Sequence, residues 1–269
     1  MPILHILSLF LILTAMSPVP VRGESRKSSN LRNITNLCNV IHPGDAVIDW
    51  DCRRIKKGET PELLFGDRWL DVLRFNRIDR RHLTAGISIK VPRNLDDIEE
   101  YTPLPDTYPK AAREEKFILV DLYEQFLGAY ENGEMVFSFP IASGNRKHRT
   151  PTGDFRINAF SRRHQSSLYK IEKTNIPYPM HYALRFFTND HGVDFWLHGR
   201  DLPGFPASHG CGGLYDEEMQ QKYYQFPRQR QLEDARTLYE WAIGAEEDNG
   251  TFTRPKNGPR VRIIGESLL

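Results

Sequence analysis

An Asn132-Gly133 pair lies between two apolar runs, residues 125–130 and 135–139. Such a pair is the strongest short-range signal for a β-hairpin, because both residues readily adopt the positive φ of a two-residue turn. Other short apolar segments in this half of the chain are typical of strands. They are Phe117 to Val120, Asp154 to Ile157, Ala183 to Phe187, Asp194 to His198 and Arg260 to Ile264. The pattern predicts a mostly β domain with a few helices over residues 116–266.

One amphipathic helix is indicated late in this domain. Its apolar positions recur at helical spacing, and they are Leu232, Ala235, Leu238, Tyr239 and Ala242. Gly244 follows them and can end the helix.

Residues 52–95 have a different pattern, which predicts a small α+β unit in the order strand, helix, helix, strand. Thr60-Pro61 is a helix start, with a capping hydroxyl followed by proline at the first helical position. A helical apolar stripe follows from Trp69 to Phe75, and residues 86–91 alternate like a strand. Residues 96–115 contain three prolines among polar residues, so they are either a linker or an extended segment docked on the domain.

The N-terminus predicts export. Residues 3–15 form an apolar run that is shorter than the roughly 20 residues a membrane-spanning helix needs. Its size fits a signal peptide over residues 1–23, with an uncleaved membrane anchor as the alternative. Residues 24–51 then form a polar leader. Either interpretation places the rest of the chain in the periplasm or at the cell wall.

Charge and cysteine content narrow the function further. The formal charge is +1, which gives no reason to expect nucleic acid as a partner. Cys38 and Cys52 are close in sequence, and in an oxidising compartment we expect them to form a disulfide. That pairing leaves Cys211, which is then either buried and inert or reactive.

Cys211 lies between two glycines, shortly after an apolar run that ends at His198. A thiol becomes a nucleophile as the thiolate, which requires a nearby base, and His198 and His209 are the candidates. The flanking glycines would let the backbone N–H groups of Gly210 and Cys211 meet an oxyanion, and Ser208 is predicted to orient one histidine. A zinc site formed by His191, His198, His209 and Cys211 is the alternative by ligand type, although no CxxC or HExxH spacing supports it.

The stretch LHGRDLPGFPASHGCGGL resembles the active-site signature of the L,D-transpeptidases of bacterial cell walls, a His-Gly pair followed after a loop by Ser-His-Gly-Cys. RTPTGDFRI and IPYPMHYALRF resemble upstream segments of the same catalytic domain, and the similarity runs from Lys116 to Gly265. The βααβ unit resembles a LysM module. By position, the resemblance makes Cys211 the nucleophile and His198 the base, with Ser208 and His209 as flanking motif residues. Gly199, Arg200 and Tyr182 are candidate substrate-binding residues.

The resemblance implies an exported enzyme of cell-wall biogenesis, and so of cell shape, that needs no metal or organic cofactor. Cys211 would be acylated by a peptidoglycan stem tetrapeptide and would pass the acyl group to an amine. The glycan would bind the LysM-like module, and a β-lactam such as a carbapenem would inhibit the enzyme.

One departure from the family pattern lies directly after the nucleophile. The family usually has an apolar residue and then arginine, whereas this chain has Gly212 and Gly213. Arg200 could supply the charge instead. The alternatives are therefore a wall-binding protein with a weakened catalytic domain, or an L,D-carboxypeptidase or other amide hydrolase that uses the same cysteine.

Overall fold

The computed structural model describes residues 34–244, 250–267 and 269. The predicted signal peptide and residues 24–33 of the predicted leader lie outside the described residues. None of the helices in the described part of the chain combines the length and the apolar character that a membrane span requires.

The segment ahead of the large domain has its elements in the order strand, helix, helix, strand. They are β1 (Trp50–Arg54), α1 (Pro61–Phe65), α2 (Trp69–Phe75) and β2 (Ser88–Pro92). β1 and β2 pair antiparallel. The Thr60 hydroxyl accepts a hydrogen bond from the Leu63 N–H and caps α1. The LysM-like nature of this segment stays a prediction.

Cys38 and Cys52 form a disulfide, as predicted, and Cys211 is a free cysteine. The disulfide ties the start of the described chain to β1. On the chain-entropy model, closing a loop of this length contributes about 3 kcal/mol to the free energy of unfolding.

The predicted polar leader and linker both pack against the fold within the described residues. Their buried apolar side chains are Leu37, Val40, Ile98, Leu104 and Ala111. The described part of the predicted polar leader, residues 34–51, is therefore packed on the fold. Residues 96–115 form an extended segment that is docked on the domain, which is one of the two predicted alternatives.

The large domain is mostly β, as predicted. Its strands are β3 (Phe117–Asp121), β4 (Phe126–Glu131), β5 (Glu134–Pro140), β6 (Gly153–Arg156), β7 (Ala159–Lys170), β8 (Pro177–Thr188), β9 (Asp194–Arg200), β10 (Gly212–Tyr215) and β11 (Arg260–Ile264). One sheet has the strand order β5-β4-β3-β11-β6, and the other has the order β10-β9-β8-β7. Two α-helices accompany them, α3 (Glu217–Tyr224) and α4 (Asp234–Ile243).

Two local predictions are confirmed in this domain. Asn132 and Gly133 have φ values of 51° and 93° and connect β4 to β5, as a two-residue hairpin turn requires. The late amphipathic helix is α4, which contains four of the five predicted apolar positions, and Gly244 caps its C-terminus; Leu232 lies just before the helix.

The main core lies between the two sheets and α4. Ile118 of β3, Leu184 of β8, Leu197 of β9 and Leu238 of α4 belong to one buried cluster. Side chains alternate between the two faces of a strand, so the neighbours of Leu197 on β9 point away from this core. The face of β9 opposite the core therefore carries His198.

A second buried cluster joins the N-terminal segment to the large domain. It contains Val72 and Phe75 of α2 together with Leu202, Tyr215 and Leu232. The Tyr215 hydroxyl donates to the carbonyl oxygen of Ile78 at 2.8 Å. The βααβ segment and the large domain thus share a core, which places the segment directly against the loop that follows β9.

Candidate active site

The pairing of β9 with β10 places Cys211 next to β9, the strand that carries His198. The two strands run parallel, with Gly212 opposite Leu197 and Gly213 opposite His198. Cys211 immediately precedes β10 and packs beside Trp196, away from the main core. Because Trp196 and His198 are two residues apart on one strand, their side chains share a face. The thiol and the imidazole therefore lie on the same face of the four-stranded sheet.

His198 is held in a defined orientation and tautomer. Its side chain is 3% exposed, and Nδ1 lies 2.8 Å from the carbonyl oxygen of Gly199. A carbonyl oxygen can only accept, so Nδ1 carries the proton, and Nε2 is left as the basic nitrogen. Burial lowers the pKa of His198 to about 3. At neutral pH the ring is therefore uncharged, and the lone pair of Nε2 is available.

Cys211 is partly exposed, but its sulfur is crowded by apolar neighbours. Burial raises the pKa of the thiol to about 11, while a hydrogen bond from the Trp196 backbone and then the positive charge of Arg200 act in the opposite direction. At neutral pH the resting pair is a thiol and a neutral imidazole. The thiolate must then form by proton transfer to a base as the sulfur attacks.

Ser208 fixes the turn that presents the cysteine. Its Oγ donates to the carbonyl oxygen of Cys211 at 2.6 Å and accepts from the Gly210 N–H at 3.0 Å. The prediction that Ser208 orients a histidine is therefore wrong, because both contacts of the hydroxyl are to backbone. Gly210 has φ 114°, and a β-carbon there would lie 2.6 Å from Cε1 of Phe195. Glycine is required at this position both for its backbone conformation and for space.

The same hydrogen bonds decide which backbone donors can meet an oxyanion. The Gly210 N–H already donates a hydrogen bond to Ser208 Oγ. The Cys211 N–H has no acceptor among the hydrogen bonds of the described residues. Of the two predicted donors, the amide of Cys211 is therefore the one free to stabilise negative charge beside the sulfur.

His209 is exposed at the rim of the site. Its ring centroid lies 4.0 Å from that of Tyr169 and 4.5 Å from that of His148. These contacts place its ring in an aromatic stack at the protein surface, whereas His198 is buried on β9. The geometry thus favours His198 as the base.

The three candidate substrate-binding residues have different surroundings. Tyr182 is 4% exposed in the main core, and its hydroxyl donates to Glu218 Oε2 at 2.5 Å. The structure does not bring Tyr182 to the site face, because its side chain shares the core face of β8 with Leu184 and Phe186. Gly199 supplies the carbonyl that holds His198, and Arg200 is the next residue on the same strand.

Asp216 packs against Gly199 at the site, although no sequence motif marked it as a site residue. A β-carbon on Gly199 would lie 2.7 Å from Cβ and Cγ of Asp216, so glycine leaves room for this carboxyl group. Asp216 Oδ1 caps α3 through the Met219 N–H, and Oδ2 lies 3.7 Å from Nδ1 of His181. Burial raises the pKa of Asp216 to about 7. The usable signal was Asp216 followed by two glutamates, a typical helix start.

A compact set of metal-type ligands in the described residues consists of Asp79, His82 and Asp201. It includes none of the four residues considered for zinc. Its carboxylate oxygens already accept hydrogen bonds from groups of both parts of the fold. These donors are the side chains of Arg81, His82, Tyr178, Gln220 and Tyr224 and the backbone N–H of Leu202. We interpret the cluster as an ion and hydrogen-bond network between the N-terminal segment and the loop after β9.

A free cysteine on the same sheet face as an oriented, uncharged imidazole, with a backbone N–H next to the sulfur, is the arrangement that thiol-based acyl transfer requires. Residues 115–254, just over half of the chain, match the family model described as YkuD, the L,D-transpeptidase catalytic domain. The chain belongs to this family. No curated protein matches it.

Solved structures of L,D-transpeptidases are similar to this chain at low identity. Residues 123–326 of the enzyme from Xylanimonas cellulosilytica are 20% identical, with 80% of this chain and 98% of that chain covered and a TM-score of 0.43. The enzyme from Stackebrandtia nassauensis is 19% identical, with 76% and 69% covered and a TM-score of 0.40. L,D-transpeptidase 3 from Mycobacterium tuberculosis, in complex with a faropenem-derived adduct, is 16% identical, with 56% and 60% covered and a TM-score of 0.37.

Proposed function

We propose that the protein is an exported peptidoglycan L,D-transpeptidase that forms an acyl-enzyme on Cys211. The observation that carries the proposal is that Cys211 packs against Trp196 on the sheet face that also carries His198, with Nδ1 of His198 bound to the Gly199 carbonyl. Family membership supplies the substrate class, a stem tetrapeptide that ends in D-alanine.

Acylation follows from the protonation states of the resting pair. Nε2 of His198 takes the thiol proton as Sγ attacks the carbonyl carbon between the third residue and D-alanine. The Cys211 N–H stabilises the negative charge that develops on the carbonyl oxygen. The carbon–nitrogen bond then breaks, and the imidazolium gives its proton to the departing amine. Because burial disfavours the charged ring of His198, it is a strong acid at this moment and releases the proton readily.

Deacylation uses the same groups in reverse. An amine of a second stem attacks the thioester carbon, His198 accepts the amine proton, and the thiolate leaves and is reprotonated by His198. Water in place of the amine would release a tripeptide, which is the carboxypeptidase alternative. The weakened-enzyme alternative predicts that the thioester does not form.

The compartment and the glycan partner are part of the same proposal. The Cys38–Cys52 disulfide supports an oxidising compartment, such as the periplasm or the cell wall. Glycan binding by the N-terminal segment rests on its LysM-like order of elements. The faropenem-derived adduct of the Mycobacterium tuberculosis enzyme supports a penem or carbapenem as an inhibitor of this one.

The test is acylation of the purified full chain by a carbapenem, followed by intact-mass measurement. We expect one covalent adduct on the wild type and none on Cys211→Ser, with melting curves to show that both variants are folded. Incubation with purified sacculi and mass spectrometry of the released muropeptides then distinguishes cross-linking from trimming. A folded wild type that forms no adduct with any β-lactam and leaves sacculi unchanged would contradict the proposal.

A further inference from the structure

The side chain of Arg200 occupies the space that a side chain at position 213 would fill. Arg200 is two residues after His198 on β9, so both side chains share the site face. A β-carbon on Gly213 would lie 2.7 Å from Cβ and 2.9 Å from Cγ of Arg200. Contacts under 3 Å between carbon atoms are not tolerated in a packed structure. The glycine after Cys211-Gly212 therefore makes room for the stem of this arginine.

The guanidinium is held at the turn that presents the thiol. Nη2 of Arg200 donates to the carbonyl oxygen of Ala207 at 2.9 Å, one residue before Ser208. The guanidinium carbon lies 5.9 Å from the ring centroid of Tyr178. Arginine is thus fixed at two points, by a hydrogen bond and by an aromatic ring, rather than extended into solvent.

One donor of this guanidinium is not used by the protein. Nε is buried and has no acceptor within the described part of the chain. A buried N–H without an acceptor costs free energy, which an anionic oxygen would recover. The fork of an arginine matches the two oxygens of a carboxylate. The arrangement therefore suits a ligand that carries a carboxylate close to the thiol.

A second arginine on this sheet does not offer the same donors. The side chain of Arg185 stacks near Trp196, but its guanidinium is bound to Asp194 and to Asn158. Its charge is thus compensated by protein groups. Arg200, in contrast, bonds a neutral carbonyl and keeps its full positive charge for a ligand.

We propose that Arg200 binds the free carboxylate of the terminal residue of the acyl donor, and that it thereby selects donors with a carboxylate one residue beyond the scissile bond. This proposal rests on the proposed function. In a tetrapeptide donor, that carboxylate belongs to the D-alanine that leaves. It lies one residue beyond the attacked carbonyl, and the hydrogen bond to Ala207 holds the Arg200 guanidinium at the turn that carries Cys211. The positive charge of Arg200 also favours the thiolate of Cys211.

The test compares two donors that differ in one group. One is a stem tetrapeptide with a free terminal carboxylate, and the other is the same peptide with a C-terminal amide. Release of D-alanine or of D-alanine amide is measured as kcat/KM by mass spectrometry. We expect the wild type to prefer the carboxylate donor by about 10- to 100-fold, the range for one charge-assisted hydrogen-bonded pair. In Arg200→Gln this preference should disappear, because kcat/KM should fall for the carboxylate donor and stay the same for the amide donor.

Three further variants separate binding from structure. Arg200→Lys keeps the stem and one charge but not the fork, so it should keep a smaller preference. Gly213→Ala should displace the Arg200 stem and so lower the preference, although Arg200 itself is not substituted. Arg163→Gln, at an exposed position on β7 of the same sheet, removes an equal charge away from the turn and should leave the preference unchanged.

The outcomes also distinguish this proposal from the proposed function. A wild type that is acylated by a carbapenem but uses both peptide donors equally would overturn the role of Arg200 and leave the enzyme assignment intact. An Arg200→Gln variant that loses both donors in the same proportion would show a structural role only, and would also overturn it. A wild type that neither reacts with a carbapenem nor uses either donor would instead contradict the proposed function.

Discussion

Arg80, in the loop after α2, forms a two-point ion pair with Glu217 in the first turn of α3. Nε of Arg80 lies 2.7 Å from Oε1 of Glu217, and Nη2 lies 2.6 Å from Oε2. The two side chains are only 9% and 2% exposed. Oε2 also accepts from the backbone N–H groups of Gln231 and Leu232. The N-terminal segment is thus attached to the catalytic domain by desolvated charges as well as by apolar contacts.

Arg80→Met should destabilise the whole protein. Loss of one partner leaves the buried Glu217 carboxylate uncompensated, which typically costs about 3–5 kcal/mol. The measurement is chemical unfolding followed by fluorescence. Arg53→Met is the matched control, because its pair with Glu59 is far more exposed, at 44% and 21%, and pairs at the surface contribute little. Equal effects of the two substitutions would mean that the Arg80–Glu217 pair does not join the two parts energetically.

The histidines of the motif should differ sharply in their contribution to acylation. His198→Gln should lower the rate of carbapenem acylation by about 10²- to 10⁴-fold, the usual contribution of a general base. His209→Phe keeps an aromatic ring between Tyr169 and His148 and should change the rate by less than about tenfold, or 1.4 kcal/mol. Stopped-flow measurement of adduct formation gives both rates. A larger loss in His209→Phe than in His198→Gln would reverse the two roles.

Most strands could be predicted where the sequence gives a local signal. The Asn132-Gly133 turn, the apolar run into His198 and the stripe of α4 each specify their element from neighbouring residues alone. β10 could not be predicted in this way, because Gly212 and Gly213 have low strand propensity. The strand exists because its backbone pairs with β9 on one side and Gly213 pairs with Ala142 on the other.

The site could be predicted in its residues but not in its contacts. The spacing identified Cys211, His198 and Ser208, yet a hydroxyl can bond either a ring or a backbone group, and only the folded turn decides between them. Tyr182 was misplaced because its side chain points into the main core beside Leu184 and Phe186, which the motif does not reveal. The sequence suggested Arg200 as a source of the missing charge, but only the pairing of β9 with β10 shows that the Arg200 stem lies against Gly213.

Ser208→Ala should impair acylation more than folding. It removes two hydrogen bonds, one accepted from the Gly210 N–H and one donated to the carbonyl oxygen of Cys211, each worth about 0.5–1.5 kcal/mol. We expect the acylation rate to fall by about 10- to 100-fold, because the turn no longer holds the thiol and its amide in register with His198. Thermal unfolding measured beside the kinetics checks that the fold persists. An unchanged rate in a folded Ser208→Ala protein would contradict the role of this hydroxyl in presenting the cysteine.

Asp216 should make stability depend on pH in the neutral range. Its pKa is about 7 in the folded protein against a usual value of 3.8, mainly because of burial and then because of Glu233, Glu218 and Asp201 nearby. His181 faces the carboxyl group. Burial lowers the pKa of this imidazole, so the ring is uncharged over most of this pH range and does not stabilise the Asp216 carboxylate.

The sign follows from proton binding. Between about pH 4 and pH 7 the folded state holds the Asp216 proton and the unfolded state does not, so the free energy of unfolding falls as the pH rises through this range. Asp216→Asn cannot ionise, and asparagine still caps α3 through its side-chain oxygen.

We therefore expect Asp216→Asn to gain stability relative to the wild type as the pH rises from 4 to 8, by on the order of 1–3 kcal/mol. Urea unfolding of both proteins at several pH values gives this difference directly, and other titrating groups cancel because both proteins contain them. Asp154→Asn, at an exposed position on β6, is the matched control and should show no such trend. A difference between Asp216→Asn and the wild type that stays constant with pH would mean that the Asp216 carboxylate is already charged in the folded protein, and that Gly199 packs against an anion throughout.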